Sequence, residues 1–168
     1  MKKALIIIDM QNDFIDGTLA NPMAQAIVSP IASYAKNFDG DVFASRDTHQ
    51  ESYLSSSEGK HLPIVHCVHG THGWEIVPEI MQVLAEQNGK LIDKPTFGNL
   101  NWECLQGYDE VTLVGTCTDI CVVSNALILK AHYPDMIVKV KGDLCAGTTK
   151  ENHESALAVM ACCQVERI

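Results

Sequence analysis

The run "ALIIID", Ala4 to Asp9, places five apolar residues in succession before its first charge. A strand half exposed to water alternates apolar and polar side chains, so an unbroken run predicts a strand covered on both faces. Shorter runs recur along the chain. "DVFAS" (41–45), "KLIDK" (90–94), "EVTLVGT" (110–116) and "MIVKVKG" (136–142) read as strands, and "CQVERI" as a short last one. Between them lie segments with helical spacing. "PMAQAIVSPIASYAKNF" repeats Met23, Ile27, Ile31 and Tyr34, although Pro30 should disturb the helix. "EIVPEIMQVLAEQNG" is stopped by Gly89, and "CVVSNALILKAHY" is a third helix. "TTKENHESALAVMAC" opens with Thr148 three residues before Glu151, a capping-box pattern. Strands alternating with helices predict an α/β fold: three α/β/α layers around a central, mostly parallel sheet. Sites in such sheets lie outside the carboxyl ends of the strands.

At 168 residues the chain reads as a single domain spanning 1–168. A domain of this size buries roughly 70% of its unfolded surface and needs no disulfide to hold a core. The net charge of −9, spread along the chain, argues against nucleic acid or an anionic membrane as partner. No apolar run approaches the ~18 residues of a membrane span. The start "MKKALIIIDM" turns acidic too soon for a signal peptide. The expected location is cytoplasmic, where the seven cysteines stay reduced. An odd count also suits a paired framework poorly, which disfavours a Cys117–Cys121 disulfide.

Three reactive side chains fall where parallel strands end. Asp9 closes the first run, Lys94 closes "KLIDK", and Cys121 follows "VTLVGT" at the start of the next helix. A cysteine at a helix N-terminus, near a lysine, is expected to favour the thiolate. A carboxylate in reach can take the thiol proton and return it to a leaving group. Singly, Asp9 reads as well as a turn cap, Lys94 as solvated surface and Cys121 as core. Their shared place at strand ends favours the chemical reading.

A second group lies in "SRDTHQESYLSSSEGKHLPIVHCVHGTHGWE". Asp47 and His49, with Glu58 and His66 at loop-like distance, offer two carboxylates and two imidazoles for Zn²⁺, Mn²⁺ or Fe²⁺. His61, His69 and His72 are also available, and a histidine-rich surface loop is an equal reading.

Five motifs in order, "LIIIDMQNDFI", "SRDTH", "EGKHLPIVHCVHGTHGWE", "DKPTFGN" and "VGTCTDICV", make nearly the whole chain resemble the isochorismatase-like cysteine hydrolases, within them the nicotinamidase/pyrazinamidase branch. The resemblance implies a catalytic triad of Cys121, Asp9 and Lys94. It implies one divalent metal ion, zinc foremost with manganese or iron as alternatives, on Asp47, His49, Glu58 and His66, and contacting a pyridine nitrogen. It further implies a cis peptide at Thr116–Cys117 and an oxyanion hole from the backbone N–H groups of Cys117 and Cys121. Phe14 and Phe97 match positions with aromatic residues around the substrate ring. A further aromatic of some relatives is here Pro63, and Trp74 reads as packing. Cys104, Cys145, Cys162 and Cys163 also read as packing. The expected activity is hydrolysis of nicotinamide to nicotinate and ammonia through a thioester. The expected partners are a small amide substrate and further copies of the chain. Hydrolysis of another small amide, metal-centred hydrolysis with a structural Cys121, and a non-catalytic metal-binding protein remain alternatives.

Overall fold

A computed structural model describes residues 1–168. Six strands form one sheet: β1 (Lys3–Ile8), β2 (Asp41–Asp47), β3 (Lys90–Lys94), β4 (Glu110–Thr116), β5 (Ile137–Ala146) and β6 (Glu166–Arg167). Their order is β3-β2-β1-β4-β5-β6, and every pairing is parallel. The chain first winds outward from β1 to β3, then crosses back to β4 and winds the other way. The direction of winding therefore reverses between β1 and β4, which is where open α/β sheets bind ligands.

The helices are α1 (Asn12–Ile15), α2 (Pro22–Lys36), α3 (Ser57–His61), α4 (Pro78–Glu86), α5 (Val123–His132) and α6 (Lys150–Cys162). The unbroken apolar run of β1 divides between the two faces. Ala4, Ile6 and Ile8 join Ala126 and Leu129 of α5 and Leu157 and Met160 of α6 in one core. Leu5 and Ile7 join Ala24, Ile27 and Ile31 of α2 and Ile80, Val83 and Leu84 of α4 in the other. Each fully buried aliphatic side chain contributes about 1.5–3 kcal/mol. One charged substitution in β1 would therefore damage a whole core layer.

The helices differ from their expected form at several points. Helix α2 runs unbroken through Pro30, which lies on its exposed side, where water can meet the carbonyl that proline leaves unbonded. Its buried stripe is Ala24, Ile27, Ile31 and Ala35 rather than one containing Met23, which is exposed. Helix α4 begins only at Pro78, because Ile76 makes an antiparallel bridge to Gln11. The cap of α6 is Thr149, which accepts from the Asn152 N–H at 3.0 Å. Thr148 bonds Asp119 instead, through both its N–H and its hydroxyl.

Candidate active site

The strand register brings the predicted residues together. Asp47 at the end of β2 pairs with Lys94 at the end of β3. Ile8 of β1 lies between Ser45 of β2 and Gly115 of β4, so Asp9 and Thr116 leave the same edge of the sheet. Gly115 has φ +117°, and a Cβ there would collide with the Ile8 carbonyl. A side chain at this position would push β4 off β1 directly beneath the site.

Lys94 is fully buried and ties the group together. Its Nζ stands 2.6 Å from Asp9 Oδ2 and 3.4 Å from Asp47 Oδ1. It donates to the Thr96 carbonyl at 3.1 Å and lies 3.7 Å from Cys121 Sγ. An ammonium has three hydrogens, so two carboxylates and one carbonyl suffice to satisfy this buried charge. The Ser45 hydroxyl donates to Asp9 Oδ1 at 2.7 Å. Burial raises the Asp9 carboxyl above the usual carboxylate range, against the pull of Lys94. Burial opposes charge on Lys94, but Asp9 overcomes it and holds the lysine protonated.

Cys121 departs from expectation. Burial pushes its thiol well above the ordinary cysteine value, and Lys94 offsets this only in part. The resting group is therefore a thiol, and attack requires a base. Nor does a regular helix begin at Cys121. A wide π-helical turn spans Thr118–Val122 and runs into α5, with the Val122 N–H donating five residues back to the Cys117 carbonyl at 3.0 Å. Such turns are concentrated at functional sites. The Thr116–Cys117 peptide is cis. The Cys117 N–H donates to no backbone carbonyl, which leaves it free for a ligand.

Asp47, His49, Glu58 and His66 offer ligand atoms that all lie within 4.8 Å of one another. Ligands about 2.1 Å from a shared tetrahedral centre stand about 3.4 Å apart. Here Asp47 Oδ2 is 2.9 Å from His49 Nε2 and 3.5 Å from His66 Nε2, and Glu58 Oε1 is 3.7 Å from His49 Nε2. His66 Nδ1 donates to the Ile64 carbonyl at 2.7 Å, which leaves the lone pair on the Nε2 that faces the cluster. Spacing, donor chemistry and tautomer all fit a divalent ion. The other histidines stand apart: His61 and His72 are exposed, and His69 packs on Trp74.

Between the two groups lies a cavity of about 380 Å³. Asp47, Glu58, His66, Cys117 and Cys121 are its polar and reactive wall, and Phe14, Leu19, Leu62, Phe97 and Ile120 its apolar one. Phe14 is buried with its ring 5.8 Å from that of His66, while Phe97 is half-exposed at the mouth. Leu62, rather than Pro63, faces the cavity. Trp74 is outside it: its Nε1 donates to Thr48 and its ring carries the Arg46 guanidinium at 3.7 Å.

With this geometry in place, comparison with known proteins is decisive. A family model for the isochorismatase domain matches residues 3–167. The chain belongs to the isochorismatase domain family. It is 30% identical to a nicotinamidase/pyrazinamidase of Mycobacterium tuberculosis, over 99% of this chain and 98% of that one. A solved pyrazinamidase of Pyrococcus horikoshii in complex with zinc superposes with a TM-score of 0.84 at 26% identity, covering 100% of this chain and 99% of that one. A pyrazinamidase/nicotinamidase of Streptococcus mutans superposes with a TM-score of 0.85 at 28% identity, covering 99% and 100%.

Several residues that shape this isochorismatase-family site were not singled out in the sequence. Gln11 accepts from the Asp47 N–H at 2.7 Å and donates to the Asp47 carbonyl at 2.8 Å, clamping that residue on both sides. Buried Asp13 accepts from the Cys67 N–H at 2.7 Å, which holds Cys67 at φ +47° and turns the chain just after His66. Fully buried Asn125 donates to the Cys121 carbonyl at 2.7 Å and to the Phe97 carbonyl at 3.0 Å, and accepts from the Asn99 N–H at 2.8 Å. It thereby ties the cysteine turn to the loop carrying Phe97. Their only sequence signal is their place: Gln11 and Asp13 inside the first motif, and Asn125 just after the last. All seven cysteines are free; Cys67 and Cys145 are buried, whereas Cys104, Cys162 and Cys163 are exposed rather than packed.

Proposed function

We propose that this protein is a cysteine amidohydrolase that converts nicotinamide to nicotinate and ammonia, with a divalent ion, zinc foremost, on Asp47, His49, Glu58 and His66. The observation that carries this reading is the buried Asp9–Lys94–Cys121 group, whose cysteine lines a cavity of about 380 Å³ between one apolar wall and a cluster of metal-type donors. The relatives' names favour the pyridine carboxamide as substrate. A cytoplasm suits its free cysteines, and the reaction would serve NAD salvage.

The chemistry follows from the protonation states. Asp9, a stronger base than an exposed aspartate, takes the Cys121 proton. Lys94 stabilises the sulfur anion, which attacks the amide carbon and forms a C–S bond. The carbonyl oxygen becomes an oxyanion held by the Cys117 and Cys121 N–H groups, each such donor contributing about 3 kcal/mol to the transition state. Asp9 returns the proton to nitrogen as the C–N bond breaks and ammonia leaves. Water then surrenders a proton to Asp9 and attacks the thioester; nicotinate departs and the thiol is restored. A bound ion supplies a Lewis-acid contact for the ring nitrogen.

Zinc-loaded protein given nicotinamide is expected to release ammonia and nicotinate one for one. If nicotinamide yields nothing while another small amide is cleaved, the substrate is wrong and the chemistry stands. His49→Ala is expected to lose most bound zinc, measured by elemental analysis, and to raise KM about 10–100-fold. Unchanged metal content would remove His49 from the ligand set.

Turnover also requires Asp9 as carboxylate. Because burial raises its pKa, protonation removes the base at a higher pH than for an exposed aspartate at 3.8. The acid limb of kcat/KM is therefore expected above that value, with activity falling as pH drops. A flat profile down to pH 4 would contradict the assignment.

A further inference from the structure

Glu58 is the loosest member of the metal cluster. Its side chain is 27% exposed, against 3–5% for Asp47, His49 and His66. It stands on α3, a helix of only five residues. The other three ligands are held independently. Gln11 clamps the backbone of Asp47, the His66 ring is tied to the Ile64 carbonyl, and the His49 ring packs on Tyr53 at 4.5 Å. The Glu58 carboxylate has a single side-chain hydrogen bond, from the Thr96 hydroxyl to Oε2 at 3.2 Å. That bond leaves Oε1, the oxygen nearest His49, directed into the cluster. The backbone carbonyl of the same Thr96 accepts from Lys94 Nζ at 3.1 Å.

We propose that Thr96 is a positioning residue for the metal site, its hydroxyl fixing the Glu58 carboxylate in its ligating orientation while its carbonyl anchors the buried lysine. The proposal rests on reading Asp47, His49, Glu58 and His66 as metal ligands, but not on the identity of the amide substrate. A long glutamate side chain loses rotamer freedom when ordered. With the hydroxyl present, part of that ordering precedes metal binding. Outer partners of this kind typically change metal affinity 10–100-fold.

Thr96→Val keeps the branched shape and the backbone carbonyl and removes only the hydroxyl. Metal-free full-length protein is titrated with Zn²⁺ against a chromophoric chelator, with no substrate present. Thr96→Val is expected to weaken zinc binding at least about tenfold, while Thr96→Ser binds close to wild type. In a Glu58→Ala background, Thr96→Val is expected to add nothing, because the carboxylate it orients is gone. Wild-type affinity in Thr96→Val overturns the proposal, as does an equal loss in the Glu58→Ala background. A wild-type protein that takes up no zinc overturns it too. Because affinity is read without turnover, an inactive but zinc-binding protein would refute the amidase reading and leave this one standing.

Discussion

Cys121→Ala is expected to lower amide hydrolysis by about ten-thousand-fold or more while leaving zinc content and fold intact. Losing the nucleophile removes the covalent route rather than weakening one contact. The structural cost is small: one buried sulfur is deleted, for about 1 kcal/mol of cavity and contact energy. Lys94 keeps Asp9, Asp47 and the Thr96 carbonyl as partners. The measurement is steady-state ammonia release alongside urea denaturation. Near wild-type turnover would assign the chemistry to the metal centre and make Cys121 structural.

The second large effect falls on stability. Lys94→Met deletes the one cation between Asp9 and Asp47, whose carboxylates are almost wholly buried. Breaking a buried pair from one side costs about 3–5 kcal/mol near neutral pH, because unpaired charge remains inside. The sign with pH follows. Burial already raises Asp9, and the variant also loses the charge that pulled it down. A carboxyl raised in the folded state stabilises below its unfolded pKa, and that contribution is lost as pH rises through the folded value. The deficit relative to wild type should therefore shrink on acidification. Urea midpoints at pH 7 and pH 5 test this; a deficit that grows toward acid would contradict it.

Much of this was legible in the chain. The unbroken run of β1 required cover on both faces, and that cover made the sheet parallel and put Asp9, Lys94 and Cys121 at strand ends. Their convergence was not legible, because local patterns carry no strand order; the order β3-β2-β1-β4 brings them together. The direction of the Cys121 shift was missed for a related reason. A helix start can be read locally, whereas full burial, which outweighs the pull of Lys94, cannot. The π-helical turn leaves no trace, since a one-residue widening preserves a helical pattern. Thr148 fits the capping-box spacing, but Asp119, in the π-helical turn after β4, captures it, and the next residue, Thr149, caps the helix instead. Gln11, Asp13 and Asn125 resemble ordinary polar loop and helix residues, and each takes its role from at least one partner far along the chain: Asp47 for Gln11, Cys67 for Asp13, and Phe97 and Asn99 for Asn125.

The central claim is that the acyl group passes through Cys121. Hydroxylamine tests it directly, since it attacks a thioester faster than water does and turns the acyl group into a hydroxamate. Zinc-loaded protein with nicotinamide and rising hydroxylamine is expected to form nicotinohydroxamate at the expense of nicotinate, with ammonia release maintained, and Cys121→Ala is expected to form neither product. Nicotinate as the sole product at every hydroxylamine concentration, with ammonia still released by the Cys121→Ala variant, would contradict the account.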